Sequence, residues 1–141
     1  MNIAPELINR WSFLKSEARP GIMEHLSIRI TDVQHGLVKA SMPVTDAVKQ
    51  PFGLLHGGAS VTLAETAASL GSVMLIDPEN EQAAGVEINA NHLRAVRGGT
   101  VFAQATIVQQ GKQLHIWEIR ITDERDRLVC ISRCTVAIVS A

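Results

Sequence analysis

The sequence predicts an α+β domain in which one long helix packs against an antiparallel sheet. Three observations predict it. A proline-free run from Gly58 to about Ile76 carries apolar residues at helical spacing. Extended segments rich in Val and Ile lie on both sides of that run. Short turn-like stretches, "QGKQ" and "DERD", join the last of them as hairpins. A long helix on an antiparallel sheet is a stable two-layer solution for such a pattern.

From the N-terminus, Leu7, Ile8, Trp11 and Leu14 fall near a helical spacing, so residues 1–21 are read as a helical segment that Gly21 ends. Residues 22–141 form the main domain. "LSIRITDV" (Leu26 to Val33) reads as a strand, "QHG" as a turn and "LVKASMPV" as a second strand, which Pro43 ends or places at an edge. "TDAVKQPFG" is loop, with Pro51 fixing the backbone. In the long helix, Leu63, Ala67, Leu70 and Met74 form the apolar stripe, and Pro78 stops it. "AGVEINANHLRAV" follows as a strand with Val86, Ile88, Ala90 and His92 on one face and Glu87, Asn89, Asn91 and Leu93 on the other. "TVFAQATIVQ", "LHIWEIRIT" and "RLVCISRCTVAIVS" complete four strands expected to run as a meander. Ile and Val on both faces of the last three favour an oligomer.

Composition excludes several classes. The chain has 141 residues, 46% hydrophobic and 19% charged, which is an ordinary globular balance. A net charge of −1, no basic block and no tyrosine argue against a nucleic-acid groove. "GSVMLI" is too short to span a bilayer, and "MNIAPELINRWSFLKSEARPG" lacks the apolar centre of a signal peptide. A cytoplasmic protein without a membrane partner is expected. Cys130 and Cys134 would lie about 13 Å apart in one strand, too far to bond, and read as reduced core residues. No metal site is expected from so few soft ligands. His25, His35 and His115 share no useful spacing and read as structural or exposed. Trp11 and Trp117 read as packing residues, with covering a pocket mouth a second option for Trp11.

The informative stretch is "QPFGLLHGGASVTLAETAAS", Gln50 to Ser69. Glu65 stands in a helix that has no lysine, arginine or second acid, so it is not one charge of a solvated face. Thr62, Thr66 and Ser69 make a small polar strip beside it. A carboxylate in limited water next to hydroxyls can act as general base or nucleophile. Gly57 and Gly58 allow close backbone approach and precede the free N–H groups of a helix start, which can stabilise charge developing on a carbonyl oxygen. His56 either caps the turn, orients the loop or touches the carbonyl. Gly57 and Glu65 are about 12 Å apart along one helix, so they cannot address one carbonyl from the same chain. If both are catalytic, the protein must be at least a dimer.

With "GVEINANHLRAV" and "GKQLHIWEIRI", this stretch resembles the hotdog-fold thioesterases, in particular the 4-hydroxybenzoyl-CoA and 1,4-dihydroxy-2-naphthoyl-CoA group, over roughly residues 22 to 139. The resemblance implies a helix wrapped by a curved antiparallel sheet and hydrolysis of acyl-CoA, with an aromatic acyl group favoured. It implies Glu65 as base or nucleophile, the Gly57 amide as carbonyl polariser from the other subunit, and Gln50 and His56 near the reacting group. Phe52, Thr66, Ser69 and Leu70 would border the acyl pocket. Gly85, Val86, His92 and Arg94 would lie along the pantetheine arm, with Gly111 and Lys112 near the phosphates. Where the family has proline after the strand's arginine, this chain has Ala95. No cofactor is implied beyond the CoA of the substrate, and acyl-carrier-protein thioesters are a second substrate source. Subunits of the family pair edge to edge and stack as dimers of dimers. A hotdog dehydratase acting on 3-hydroxyacyl thioesters and a nonenzymatic acyl-CoA-binding protein are the alternatives.

Overall fold

The computed structural model describes residues 1–141. In chain order the elements are β1 (Asn2–Ile3), α1 (Ile8–Glu17), α2 (Ile22–His25), β2 (Arg29–Gln34), β3 (Leu37–Pro43), α3 (Gly57–Leu75), β4 (Glu81–His92), β5 (Thr100–Gln110), β6 (Leu114–Thr122) and β7 (Leu128–Ser140). Seven strands form one sheet in the order β1-β2-β3-β5-β6-β7-β4, and α3 packs across one of its faces. All neighbours are antiparallel except β1 and β2. This is the hotdog architecture. No helix is long and apolar enough to cross a membrane.

The expected four-strand meander is corrected to three strands. β5, β6 and β7 follow one another, but β4 pairs with β7 at the far edge instead of with β5. A hairpin signal identifies neighbours only where the connection is short. The segment 93–99 between β4 and β5 ends in "RGG", which reads as a turn, but it carries the chain past two strands so that β5 can pair with β3.

What brings α3 close to the sheet is a division of side-chain volume. Its buried face is mostly small: Ala59, Ser60, Ala64, Ala67, Ala68, Gly71 and Ser72, with Leu63 and Met74. The sheet supplies the bulk, from Val38, Val101, Ile119, Ile121 and above all Trp117. A Cβ on Gly71 would lie 2.4 Å from the Trp117 ring. Trp117 Nε1–H donates to Ser72 Oγ at 2.9 Å, and Ser72 Oγ lies 3.1 Å from His115 Nδ1. An indole nitrogen can only donate, so the serine hydroxyl accepts from it and offers its own hydrogen to the imidazole. His115 is thus a buried structural histidine. Cys130 and Cys134 are free and buried, and burial pushes the Cys134 thiol up to about 11.

Two local features set the alignment of the last strands. At the β6–β7 turn, Asp123 accepts from the backbone N–H groups of Arg125 and Arg127 and is gripped by the Arg127 guanidinium at 2.7 and 2.8 Å. The Arg127 side chain holds the Asp123 carboxyl down to about 2. Along β4, the pairing with β7 shifts between Gly85 and Glu87, so Val86 is an extra, bulged residue. Gly85, Ile88, Ala90 and His92 pair with the buried Val136, Cys134, Ser132 and Cys130. The strict alternation expected from sequence, which set Val86 on the His92 face, is therefore interrupted, and Gly85 takes that place.

The first residues join the same body. β1 extends the sheet beside β2, and Ala4 N–H donates to Val33 O at 2.8 Å. Leu7 is buried with Val33 and Met74, while Trp11 and Leu14 pack against them half-buried. Arg10 Nη1 donates to Met74 O at 2.8 Å, meeting a carbonyl that the end of α3 leaves without a helical partner. The helix read at Leu7 to Leu14 is present; the short β1 and α2, too brief to show periodicity, were not anticipated.

Two outcomes are expected from this packing. Gly71→Ala forces a methyl into the Trp117 ring and should destabilise the fold by about 1–3 kcal/mol in urea unfolding. Burial holds the His115 imidazole below its ordinary 6.5, so the unfolded chain takes up that proton first. Its contribution to stability is intact above about pH 6.5 and is lost as pH falls through that value toward the lowered folded pKa. Urea midpoints between pH 8 and pH 5 should show this slope, and His115→Gln should flatten it.

Candidate active site

α3 begins in the loop that the sequence singled out. His56 is its N-cap, with extended backbone (φ −70°, ψ 132°), and its Nδ1 accepts from Gly58 N–H at 2.8 Å. An accepting Nδ1 leaves the ring neutral with its hydrogen on Nε2. Ala59 and Ser60 N–H groups donate to His56 O, whereas Gly57 N–H has no acceptor in the protein. His56 thus serves as cap, one of the roles read for it, and leaves one amide at the helix start without a protein acceptor.

That amide opens into a cleft of about 380 Å³ lined by Gln50, Leu54, Gly57, Ser60, His92 and Arg94 among others. His92, at the end of β4, lies over the helix start: a Cβ at Gly57 would sit 2.7 Å from its Nε2. Only a glycine permits this approach without displacing the ring. Gln50 Oε1 accepts from Phe52 N–H, and Gly53 N–H donates to Gln50 O at 2.9 Å, which folds the loop tightly at the cleft's rim. Gly53 holds a positive φ of 79° in that turn. Of the sequence-predicted residues, Gln50, Gly57, His92 and Arg94 are brought together here. Ser60, Leu54 and Leu93 line the cleft without having been singled out; Ser60 is three residues beyond Gly57 on the same helical face, a spacing that could have identified it.

Glu65 is not in this cleft. It lies two turns further along α3, half-buried, with Oε1 2.7 Å from where a Gly85 Cβ would be. No lysine or arginine pairs with it. Thr62 and Thr66 hydroxyls donate to Gly58 O and Thr62 O at 2.9 and 2.7 Å, so the polar strip beside Glu65 is partly satisfied by the helix itself. Ser69, on the same strip, is half-buried and Leu70 beside it joins the main core to the Leu7 cluster.

Other predicted residues stand apart in one chain. Phe52 is 84% exposed and Val86 61% exposed, and neither lines the cleft. Gly111 and Lys112 occupy the β5–β6 turn, where Gly111 N–H donates to Leu114 O at 2.9 Å. Leu114 aligns through Ala137 with Ala84, at the start of β4, whereas His92 and Arg94 are at its end. Those eight residues of strand separate the two groups by about 26 Å.

Comparisons with known proteins bear on the fold and the activity. The thioesterase superfamily model matches residues 52–130. A 1,4-dihydroxy-2-naphthoyl-CoA hydrolase of Listeria monocytogenes is 49% identical over 118 residues, covering 84% of this chain and 95% of the relative. The Escherichia coli protein of the same name is 44% identical over 113 residues, covering 80% and 82%. A crystal structure of a mutant thioesterase from Pseudomonas aeruginosa, 38% identical, superposes with a TM-score of 0.87 over 98% of this chain and 96% of that one. These similarities show that the chain belongs to the thioesterase superfamily and is a thioester hydrolase.

Proposed function

We propose that the protein hydrolyses acyl-CoA thioesters at the interface of a homodimer, with Glu65 of one subunit and the Gly57 amide of the other acting on one carbonyl. The observation that carries this reading is the position of both groups along one open edge strand. Glu65 rests on Gly85 near the start of β4, and Gly57 lies beneath His92 at its end. β4 is the last strand of the sheet, so its outer edge is free to pair. Two such edges paired antiparallel about a two-fold axis set the Gly85 end of one subunit against the His92 end of the other. Each carboxylate then faces a partner's unbonded amide, and two equal sites result. The exposed Val86 is covered in the same step.

The chemistry needs a polarised carbonyl and a positioned oxygen nucleophile. The Gly57 N–H receives the charge that develops on the carbonyl oxygen. Glu65 either takes a proton from water as that water attacks the carbonyl carbon, or attacks it directly to give an anhydride that water then opens. Collapse of the tetrahedral species breaks the C–S bond, and the thiolate leaves to be protonated. Gln50 helps orient the acyl group, and His56 keeps the helix start rigid. A carboxylate and an amide suffice, so no cofactor is called for.

An aromatic acyl group is supported by the substrate in the names of the Listeria and Escherichia relatives. Thr66, Ser69 and Leu70 would offer one wall that is part polar and part apolar, and Phe52, exposed in the single chain, would border the pocket from the partner. Pantetheine would run past Gly85, Val86 and His92. Antiparallel pairing also brings the Arg94 end of one chain toward the Gly111–Lys112 turn of the other, giving two cations for the CoA phosphates. A dimer of dimers would extend the assembly without altering this site.

Thiol release measured on aroyl-, alkanoyl- and 3-hydroxyacyl-CoA, and on acyl-carrier-protein thioesters, tests the reading. Aroyl-CoA should be the best substrate, and Glu65→Gln should lower kcat about 100- to 10,000-fold in a protein that still assembles. Full activity in Glu65→Gln would remove Glu65 from the chemistry. Gly85→Ala, whose methyl must displace Glu65 Oε1, should lower kcat by about tenfold or more while unfolding stays near wild type.

A further inference from the structure

We propose that Trp11, held by the N-terminal segment against α3, forms the end wall of the acyl pocket and limits the length of acyl group accepted. The proposal rests on the reading above, in which the acyl group runs along α3 from Glu65. On that helix Glu65, Thr66, Ser69, Leu70 and Val73 are half-buried and lie in a stripe along one side of the helix, which the sheet covers only in part. The Gly57 end of the stripe leads to the cleft. The other end is closed by the chain's own first residues: Trp11 and Leu14 share a cluster with Leu70 and Val73 around the buried Leu7, Val33 and Met74. Leu70 is five residues beyond Glu65, about 7.5 Å along the axis, so an acyl group of one or two fused rings ends where this cluster begins.

The wall is fixed from three sides. β1 pairs with β2, Ala4 N–H donates to Val33 O at 2.8 Å, and Arg10 donates to Met74 O at 2.8 Å. These bonds hold α1 in place while leaving the Trp11 indole half-buried against the same Leu7, Val33 and Met74 cluster that Leu70 packs on. A flat, partly exposed aromatic surface beside an apolar stripe suits contact with the end of a ring or a chain. The positions of α1 facing away, Ile8 and Phe13, are exposed, so Trp11 and Leu14 are the apolar side chains this helix turns toward the Leu7, Val33 and Met74 cluster.

The test uses the full chain as wild type, Trp11→Ala, Trp11→Phe and Glu65→Gln. For each, kcat and KM are measured on benzoyl-CoA and on straight-chain acyl-CoAs from hexanoyl to hexadecanoyl, with thermal unfolding alongside. Trp11→Ala should raise the ratio of kcat/KM for long over short acyl groups about tenfold or more, mainly through KM, and Trp11→Phe should keep the wild-type profile. An unchanged profile in active Trp11→Ala overturns the proposal. So does a parallel fall for every substrate that tracks a lowered Tm, because a merely structural tryptophan would behave that way. A fully active Glu65→Gln overturns the underlying site reading instead, and is told apart from the other outcomes by that variant alone.

Discussion

The close approach of α3 to the sheet is the constraint on which the rest of the molecule depends. It is possible because the volume of the core is unequally shared: alanines, serines and Gly71 on the helix, branched and aromatic side chains on the strands. Trp117 fills the space that a side chain at Gly71 would need, and its N–H is satisfied by Ser72 in the next helical position. A helix anchored so firmly on one side does not need a large apolar surface on the other. That is why a carboxylate and hydroxyls can line its outer stripe without costing the fold its core.

The same arrangement gives the two sides of one helix different tasks: one packs on the sheet and the other carries the polar side chains. Residues facing the sheet hold the domain together; residues facing outward, from the free amide of Gly57 to Ser69, remain available. β4 continues this division, with Ile88 and Ala90 turned to the core and its outer backbone edge unpaired. Gly57 and Gly85 are glycines for one shared reason. Each sits where a side chain, His92 or Glu65, lies directly on the backbone.

Much of this was legible before any coordinates. The stripe Leu63, Ala67, Leu70, Met74 has a period that only a helix satisfies, and the absence of counter-charges around Glu65 marked it as unusual. What escaped sequence reading was nonlocal. The connection after β4 carries the turn signal "RGG" yet does not fold as a hairpin, because β4 pairs with β7, and the bulge at Val86 depends on how β7 aligns with it. A free histidine looks the same in sequence whether it caps a helix, as His56 does, or lies buried against a serine, as His115 does. The contact of the first residues with Leu70 brings together positions about sixty apart, which no local periodicity encodes.

The Asp123–Arg127 turn has a reach that its surface position conceals. It fixes where β7 starts against β6, and β7 in turn is the only strand that aligns β4. In a sheet, a shift of one residue exchanges the two faces along the whole strand. An error of one position at the turn would therefore carry Gly85 out from under Glu65 and turn His92 away from Gly57. The hairpin acts as the zero mark of a ruler: it touches nothing in the cleft, yet every distance along β4 is counted from it.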